Sequence, residues 1–160
     1  MDINHRQSGR TMLTVDADTL EAANLAGEYL IHADLRSAVL RQAQLLFANF
    51  SGADLSHCDL TGADMRGANL TEADLTGADM ANTNLTGATL SLTTLHGCRN
   101  LHLAMGLDKV VHAGPSMLDH ATLAASAAGL SNEFLRGAGF TWSEIGAIRR
   151  DYSVAGDAAD

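Results

Sequence analysis

Ser116, Asp119 and His120 are the three side-chain types of a nucleophilic triad, and they fall within five residues of one another. A triad needs the base to reach the nucleophile's proton while a carboxylate orients the base. A spacing of i, i+3, i+4 fits a helix start better, with Ser116 and Asp119 capping free backbone N–H groups. The seven histidines (5, 32, 57, 96, 102, 112 and 120) form no HExxH pair and no close ligand set. Cys58 and Cys98 stand 40 positions apart with no CxxC spacing, which is neither a zinc signature nor a disulfide framework. They read as two small buried apolar residues. There is no GxSxG, no phosphate-binding loop and no dinucleotide fingerprint. No catalytic residue, metal ligand or cofactor is expected, and the chain reads as non-enzymatic.

Composition narrows the remaining classes. The chain has 160 residues, 46% of them hydrophobic but only 4% aromatic, so its core is built from Leu, Met and Ala. A net charge of −9 argues against direct nucleic-acid binding, since phosphates are bound by Lys and Arg that displace counterions. No apolar run reaches membrane-spanning length. MDINHRQSGR carries no apolar leader, so the cytoplasm is the expected location.

The informative pattern is a period of five. Every fifth position from Leu20 to Leu95 is large and apolar: sixteen consecutive marks, including Leu25, Phe50, Met65, Met80 and Leu90. Two places earlier the residue is mostly Ala, with Cys58, Thr83 and Thr93 as small substitutes and Asp18 and Glu28 as misfits. On an α-helix five residues advance about 500°, so no apolar stripe forms. On a straight strand an odd period alternates faces, so every second Leu would be wet. All sixteen are buried together only if the chain turns once per repeat, each unit forming one inward side of a closed coil. Gly at 52, 62, 67, 77 and 87 suits such corners.

Units such as Ala53-Asp54-Leu55, Ala63-Asp64-Met65, Ala68-Asn69-Leu70, Ala73-Asp74-Leu75 and Ala78-Asp79-Met80 resemble the A(D/N)LxG motif of the pentapeptide-repeat family. The resemblance covers about residues 16–97. It implies an all-β solenoid, a right-handed quadrilateral β-helix with four repeats per coil. Sixteen repeats then make about four coils, a stack about 19 Å tall at a strand spacing of about 4.8 Å. Some members of this family, those linked to quinolone resistance, are DNA mimics that bind DNA gyrase or topoisomerase IV.

A 20-residue coil places residues 20 apart above one another. One outer column then collects Asp34, Asp54, Asp74 and Thr94, and the next collects Val39, Asp59 and Asp79. Residues 16–95 hold eleven acidic side chains against three arginines, so the negative charge is concentrated there and striped. Three readings of the stripe stand side by side. Asp and Asn cap the corners through local backbone hydrogen bonds; or the columns imitate the charge of a duplex; or they hold a metal, for which converging oxygens are lacking. A breach of the pattern at LLFANF turns Leu46 and Phe47 outward, with Val39 on the neighbouring side and Ile31 near by. A contiguous apolar group marks a contact surface unless TMLTV (11–15) or the C-terminal helices cover it.

After Leu95 the period is lost, with Asn100 where a Leu is due. A small helical cap is expected over the open coil end. Its helices run from Ser116 and Asp119 to about Ala127, from Ser131 through Phe134 and Leu135, and from Thr141 with Glu144 to about Arg150. Residues 110–140 are similar to a segment seen beside pentapeptide repeats in bacterial multidomain proteins, where it can precede a Toll/interleukin-1 receptor domain. The matching residues are Gly114, Pro115, Ser116, Asp119, Thr122, Leu123, Ser126, Phe134, Leu135, Arg136, Gly137 and Gly139. The resemblance implies a docking or signalling context.

The expected organisation is an N-terminal arm over 1–15, the coil over 16–100, a helical segment over 101–152 and a disordered tail over 153–160. The expected function is a scaffold that binds a protein partner, in a bacterial signalling or defence setting. Its candidate surfaces are the acidic columns (Asp34, Asp54, Asp74, Asp59, Asp79) and the apolar group (Leu46, Phe47, Val39). A third, Phe134, Leu135, Phe140 and Trp142, would serve docking or a homodimer. The alternative is a DNA mimic that binds a type II topoisomerase.

Overall fold

The computed structural model describes residues 1–152; the tail over 153–160, expected to be disordered, lies outside the described residues. Four parallel ladders run the length of the repeat, each linking residues 20 apart. They are Asn24–Gln44–Asp64–Asn84, Tyr29–Asn49–Asn69–Thr89, Asp34–Asp54–Asp74–Thr94 and Val39–Asp59–Asp79–Arg99. Twenty residues therefore make one four-sided coil. The sixteen residues at the fifth positions from Leu20 to Leu95 are each no more than 2% exposed. Where the small inward residue is polar, it is satisfied by the coil before it. Thr83 and Thr93 donate to the carbonyls of Leu60 and Leu70, each at 2.8 Å, and the Cys58 thiol donates to Leu35 O. Burial pushes both thiols up to about 12, which leaves them without thiolate chemistry at neutral pH.

The corners explain the period. In the repeats from Leu20 to Leu85 the N–H three residues on returns to the carbonyl of the preceding large residue, as from Ala63 to Leu60 at 2.9 Å. The residue two places after the Leu has φ between +51° and +72° at all sixteen corners from Ala22 to Gly97. A three-residue return with positive φ at its third position is the type II turn. Nine of those sixteen residues are not glycine, among them His32, Phe47, His57 and Leu92. Left-handed backbone costs such residues roughly 1 kcal/mol each, so the buried Leu and the ladder hydrogen bonds must hold the corner.

Both ends depart from the five-residue template. At the start, β1 (Asp2–His5) and β2 (Thr11–Thr14) form an antiparallel hairpin, and β1 pairs antiparallel with β3 (Ala33–Asp34). The hairpin thus extends the Asp34 ladder backwards, with Ile3 wholly buried. At the other end the coil does not stop at residue 100 as expected. Asp79 pairs with Arg99, Asn84 with Met105, Thr89 with Val111 and Thr94 with Met117. The spacing grows by one residue per side, from 20 to 23. Short 3₁₀ turns at Leu101–Leu103 and Leu107–Lys109 take up the extra residues, and Leu101 and Leu107 fill the interior. This last coil closes with β4 (Thr89–Leu90) beside β6 (Val111–His112), and β5 (Thr94–Leu95) beside β7 (Met117–Leu118).

Three short helices follow. The first, α1 (His120–Ser126), starts later than expected: Asp119 is its N-cap and accepts the Thr122 N–H at 2.9 Å. Ser116 caps nothing, because Met117 and Leu118 are held extended by β5. Ser131 caps α2 (Asn132–Gly137), and Thr141 and Glu144 form a reciprocal capping box at α3 (Trp142–Tyr152). The Thr122 hydroxyl donates to Leu95 O and accepts from Cys98 N–H, which pins α1 to the coil.

Glycine corners carry a testable load. Gly67 has φ +66° and lies under the Phe47 ring, so that a Cβ there would overlap the ring, whereas a Cβ at Gly87 (φ +71°) meets only the Gly67 amide at 4.0 Å. Gly87→Ala is expected to lower unfolding stability by about 1 kcal/mol through backbone strain alone. Gly67→Ala should cost roughly twice that, because the ring must also move. Chemical denaturation of the two variants separates these terms.

Candidate interaction surfaces

The acidic columns lie on the ladders as the period requires, and each carboxylate is bound to its own corner. The Oδ1 of Asp54, Asp59, Asp74 and Asp79 accepts the backbone N–H two residues on, at 3.1, 3.0, 2.9 and 3.2 Å. Asn49, Asn69 and Asn84 do the same at 3.0, 3.0 and 3.1 Å. Asp and Asn are interchangeable here because the corner needs an acceptor rather than a charge.

Much of the charge is also paired. Arg36 forks onto Asp34 and stands 3.8 Å from Asp54, which Arg6 of the hairpin approaches at the same distance. Arg41 meets Asp59 at 3.1 Å, Arg66 meets Asp64 at 2.7 Å and Arg99 meets Asp79 at 3.7 Å. The Arg36 hydrogen bond holds the Asp34 carboxyl below its usual range, and Arg66 does the same for Asp64. For Asp59 burial works the other way, but hydrogen bonds from Thr61 and Arg41 prevail and its pKa is lowered too. The arginine side chains of these pairs are 37 to 63% exposed, so solvent screens each pair and it adds little stability. Their effect is to turn an acidic stripe into one of alternating sign.

The apolar group divides in two. Phe47 is 69% exposed and Leu46 partly so, at the corner before the Asn49 ladder position. Tyr29, 76% exposed, heads that same ladder, and Ile31 sits at the next corner. Val39 is exposed but heads the Asp59–Asp79 ladder, so the Gln44 side separates it from Phe47. The hairpin covers neither, since β2 lies beyond β1 on the Asp34 side. Tyr29 also forms one wall of an open cleft of about 430 Å³ with His5, Arg10 and Met12 of the hairpin. Tyr29 was visible in the sequence only as an aromatic residue at the head of a column of Asn and Thr.

The C-terminal candidate set is corrected. Phe134 and Leu135 are 1% and 0% exposed, so neither is available for docking. Both face the core, and the Phe134 ring packs edge-on against His112 at 5.3 Å between centroids. Phe140 is partly buried against the same core; Trp142 is 64% exposed, with the Arg136 guanidinium 5.4 Å from its ring centroid. Among the described residues no group of three or more His, Cys, Asp or Glu is placed to hold a metal ion. No helix among them is long and apolar enough to cross a membrane.

A family model for pentapeptide repeats matches eight copies over residues 19–45, 48–87 and 63–99. The chain belongs to the pentapeptide-repeat family. That membership implies the right-handed quadrilateral β-helix, of which the four ladders are the sides. Similar solved structures include the pentapeptide repeat protein Rfr23 from the cyanobacterium Cyanothece 51142, at 29% identity and a TM-score of 0.37 over 55% of this chain and 61% of that one. A pentapeptide repeat protein of the Arabidopsis thaliana thylakoid lumen is 30% identical, with a TM-score of 0.28 over 51% and 63%. QnrB1, a plasmid-mediated fluoroquinolone resistance protein, is 19% identical, with a TM-score of 0.35 over 61% and 51%. The chain spans between half and two thirds of the length of these proteins. No curated protein matches it.

The corner-capping role of the acidic columns separates cleanly from a role for their charge. Asp74→Asn keeps the acceptor for Thr76 N–H and is expected to leave stability within about 0.5 kcal/mol of the parent. Asp74→Ala removes the acceptor and should cost about 1 kcal/mol. Thermal or urea unfolding of the pair decides between them.

Proposed function

We propose that this protein is a non-catalytic scaffold that binds another protein through the first coils of its solenoid, in a bacterial cytoplasm. The observation that carries the reading is the group of large side chains left bare around the Asn49 ladder: Tyr29, Phe47, Ile31 and Leu46. The other side chains on that ladder are Asn49, Asn69 and Thr89. Aromatic anchors beside small polar residues are the composition of a protein-binding centre with a polar rim. The rigid ladder holds them without further ordering cost. The helices act as a cap on the apolar end of the stack, and the likeness of residues 110–140 to a segment found beside Toll/interleukin-1 receptor domains supports a place in signalling or defence. A homodimer through the C-terminal helices is left with Phe140 and Trp142 as its anchors. The test is comparative capture from the native host. The parent should retain a partner that a Tyr29→Ser/Phe47→Ser variant loses by at least about tenfold, as expected for two hot-spot residues. Equal capture by both, or turnover of NAD or another small substrate by the purified protein, defeats the reading.

A topoisomerase-binding DNA mimic is the second reading, favoured by the Asp34–Asp54–Asp74 ladder and the charge of −9. The arginines at 2.8 to 3.8 Å from Asp34 and Asp54 weaken it, because a duplex presents unpaired phosphates. It predicts inhibition of gyrase supercoiling at micromolar protein that fades when Asp34, Asp54 and Asp74 become Asn. No inhibition by the parent protein retires it.

A further inference from the structure

The junction between the last coil and the helices holds four of the seven histidines. His96 approaches Asp119, the cap of α1, and lines a cleft with Phe140 and Glu144. His102 Nδ1 stands 3.3 Å from the Ser126 hydroxyl, and His120 is hydrogen-bonded to Tyr152. His112, on β6, differs from the other three. Both its ring nitrogens are buried, and neither has a hydrogen-bond partner. Its ring lies edge-on to Phe134 and close against Gly137, where a Cβ would overlap it. The helix α2 therefore docks only over an imidazole that is uncharged and a position that has no side chain.

We propose that His112 is a proton-operated latch: its protonation at mildly acidic pH releases α2, and with it α3, from the last coil while the repeats stay folded. An imidazolium carries two N–H donors and a full charge, and no protein acceptor meets either ring nitrogen here. Lifting α2 is the least costly way to solvate it, since α2 has only six residues and is held mainly by Phe134 and Leu135. Nothing nearby compensates the charge. Across the β4–β6 pairing stand Thr89 and Leu90, which do not titrate. The charged groups on the surrounding elements are Asp108 and Lys109 on the 3₁₀ turn, Glu133 and Arg136 on α2, and Glu144, Arg149, Arg150 and Asp151 on α3. None of them hydrogen-bonds to His112, and burial alone holds its pKa below the ordinary 6.5. The sign follows from that direction. The unfolded or opened chain takes up its proton near 6.5 and the closed one only at lower pH. Docking is thus fully stable above about 6.5 and weakens as pH falls below it.

Hydrogen exchange on the full chain, corrected for intrinsic rates, tests the latch at pH 7.5 and 5.5. Each unit of displaced pKa changes the open-to-closed ratio by about tenfold. Protection across 132–152 should fall at pH 5.5, by up to about tenfold because that pH lies one unit below the ordinary 6.5, while α1, pinned to the coil, and 45–95 keep theirs. His112→Phe, an uncharged ring of similar shape, should abolish the pH dependence, with His112→Leu as the second uncharged variant. Gly137→Ala should open the helices at pH 7.5. In the unmodified chain the ring titration of His112, followed by NMR, should coincide with the loss of protection. A parent whose helices stay equally protected at both pH values overturns the proposal. So does a ring titration displaced from the opening, or a His112→Phe or His112→Leu protein that still opens with acid.

Discussion

A chain with a large apolar residue at every fifth position must turn a corner at every repeat, and everything else in this protein depends on that corner. The turn is made by one residue held at φ near +60°, a conformation glycine adopts freely and other residues do not. Nine of the sixteen corners accept the strain. They do so because the Leu beside each corner is buried and the backbone on both sides is laddered to the neighbouring coils. Strain and burial are thus local partners within each five-residue unit. The stack is stabilised unit by unit, as expected of a quasi-one-dimensional fold.

The same geometry sets what the surface can be. Because each coil repeats after 20 residues, every outward choice is multiplied into a column, and a column has one chemical character only if every coil agrees. Asp and Asn recur because their side chains accept a corner N–H two residues on, so the acidity begins as a by-product of turn chemistry. Arginines from the hairpin and the corners then pair with most of it. A surface arrived at in this way carries less free charge than its composition suggests. Tyr29 and Phe47, the most exposed of the large apolar side chains on the repeat, are not accounted for by corner chemistry.

The end of the stack is managed differently from the middle. The last coil keeps the ladders but lengthens each side with 3₁₀ turns, and it hands its apolar edge to α1–α3. The contact combines apolar side chains of the helices, Phe134 and Leu135 among them, with small polar links from Thr122 and one orphaned imidazole. Such a junction lies at the low-stability end of a domain, where local opening is least costly.

The sequence by itself determined the coil from Leu20 to Leu95, because a five-residue period admits no other way to bury every Leu. It also determined which residues share a column, and that Ser131 and Thr141 with Glu144 start helices, since capping is decided by residues within one turn. Three matters were decided only by the tertiary structure. The last coil was hidden because six-residue steps break the pattern while leaving Leu101 and Leu107 inside. Phe134 and Leu135 looked like a docking pair because amphipathicity does not say which face meets a neighbour; the coil takes both. The apolar group was misread as including Val39 because residues eight apart in sequence stand on different sides of a square, while Tyr29 and Phe47, eighteen apart, flank one position. In a solenoid, neighbourhood is set by the coil length rather than by distance along the chain.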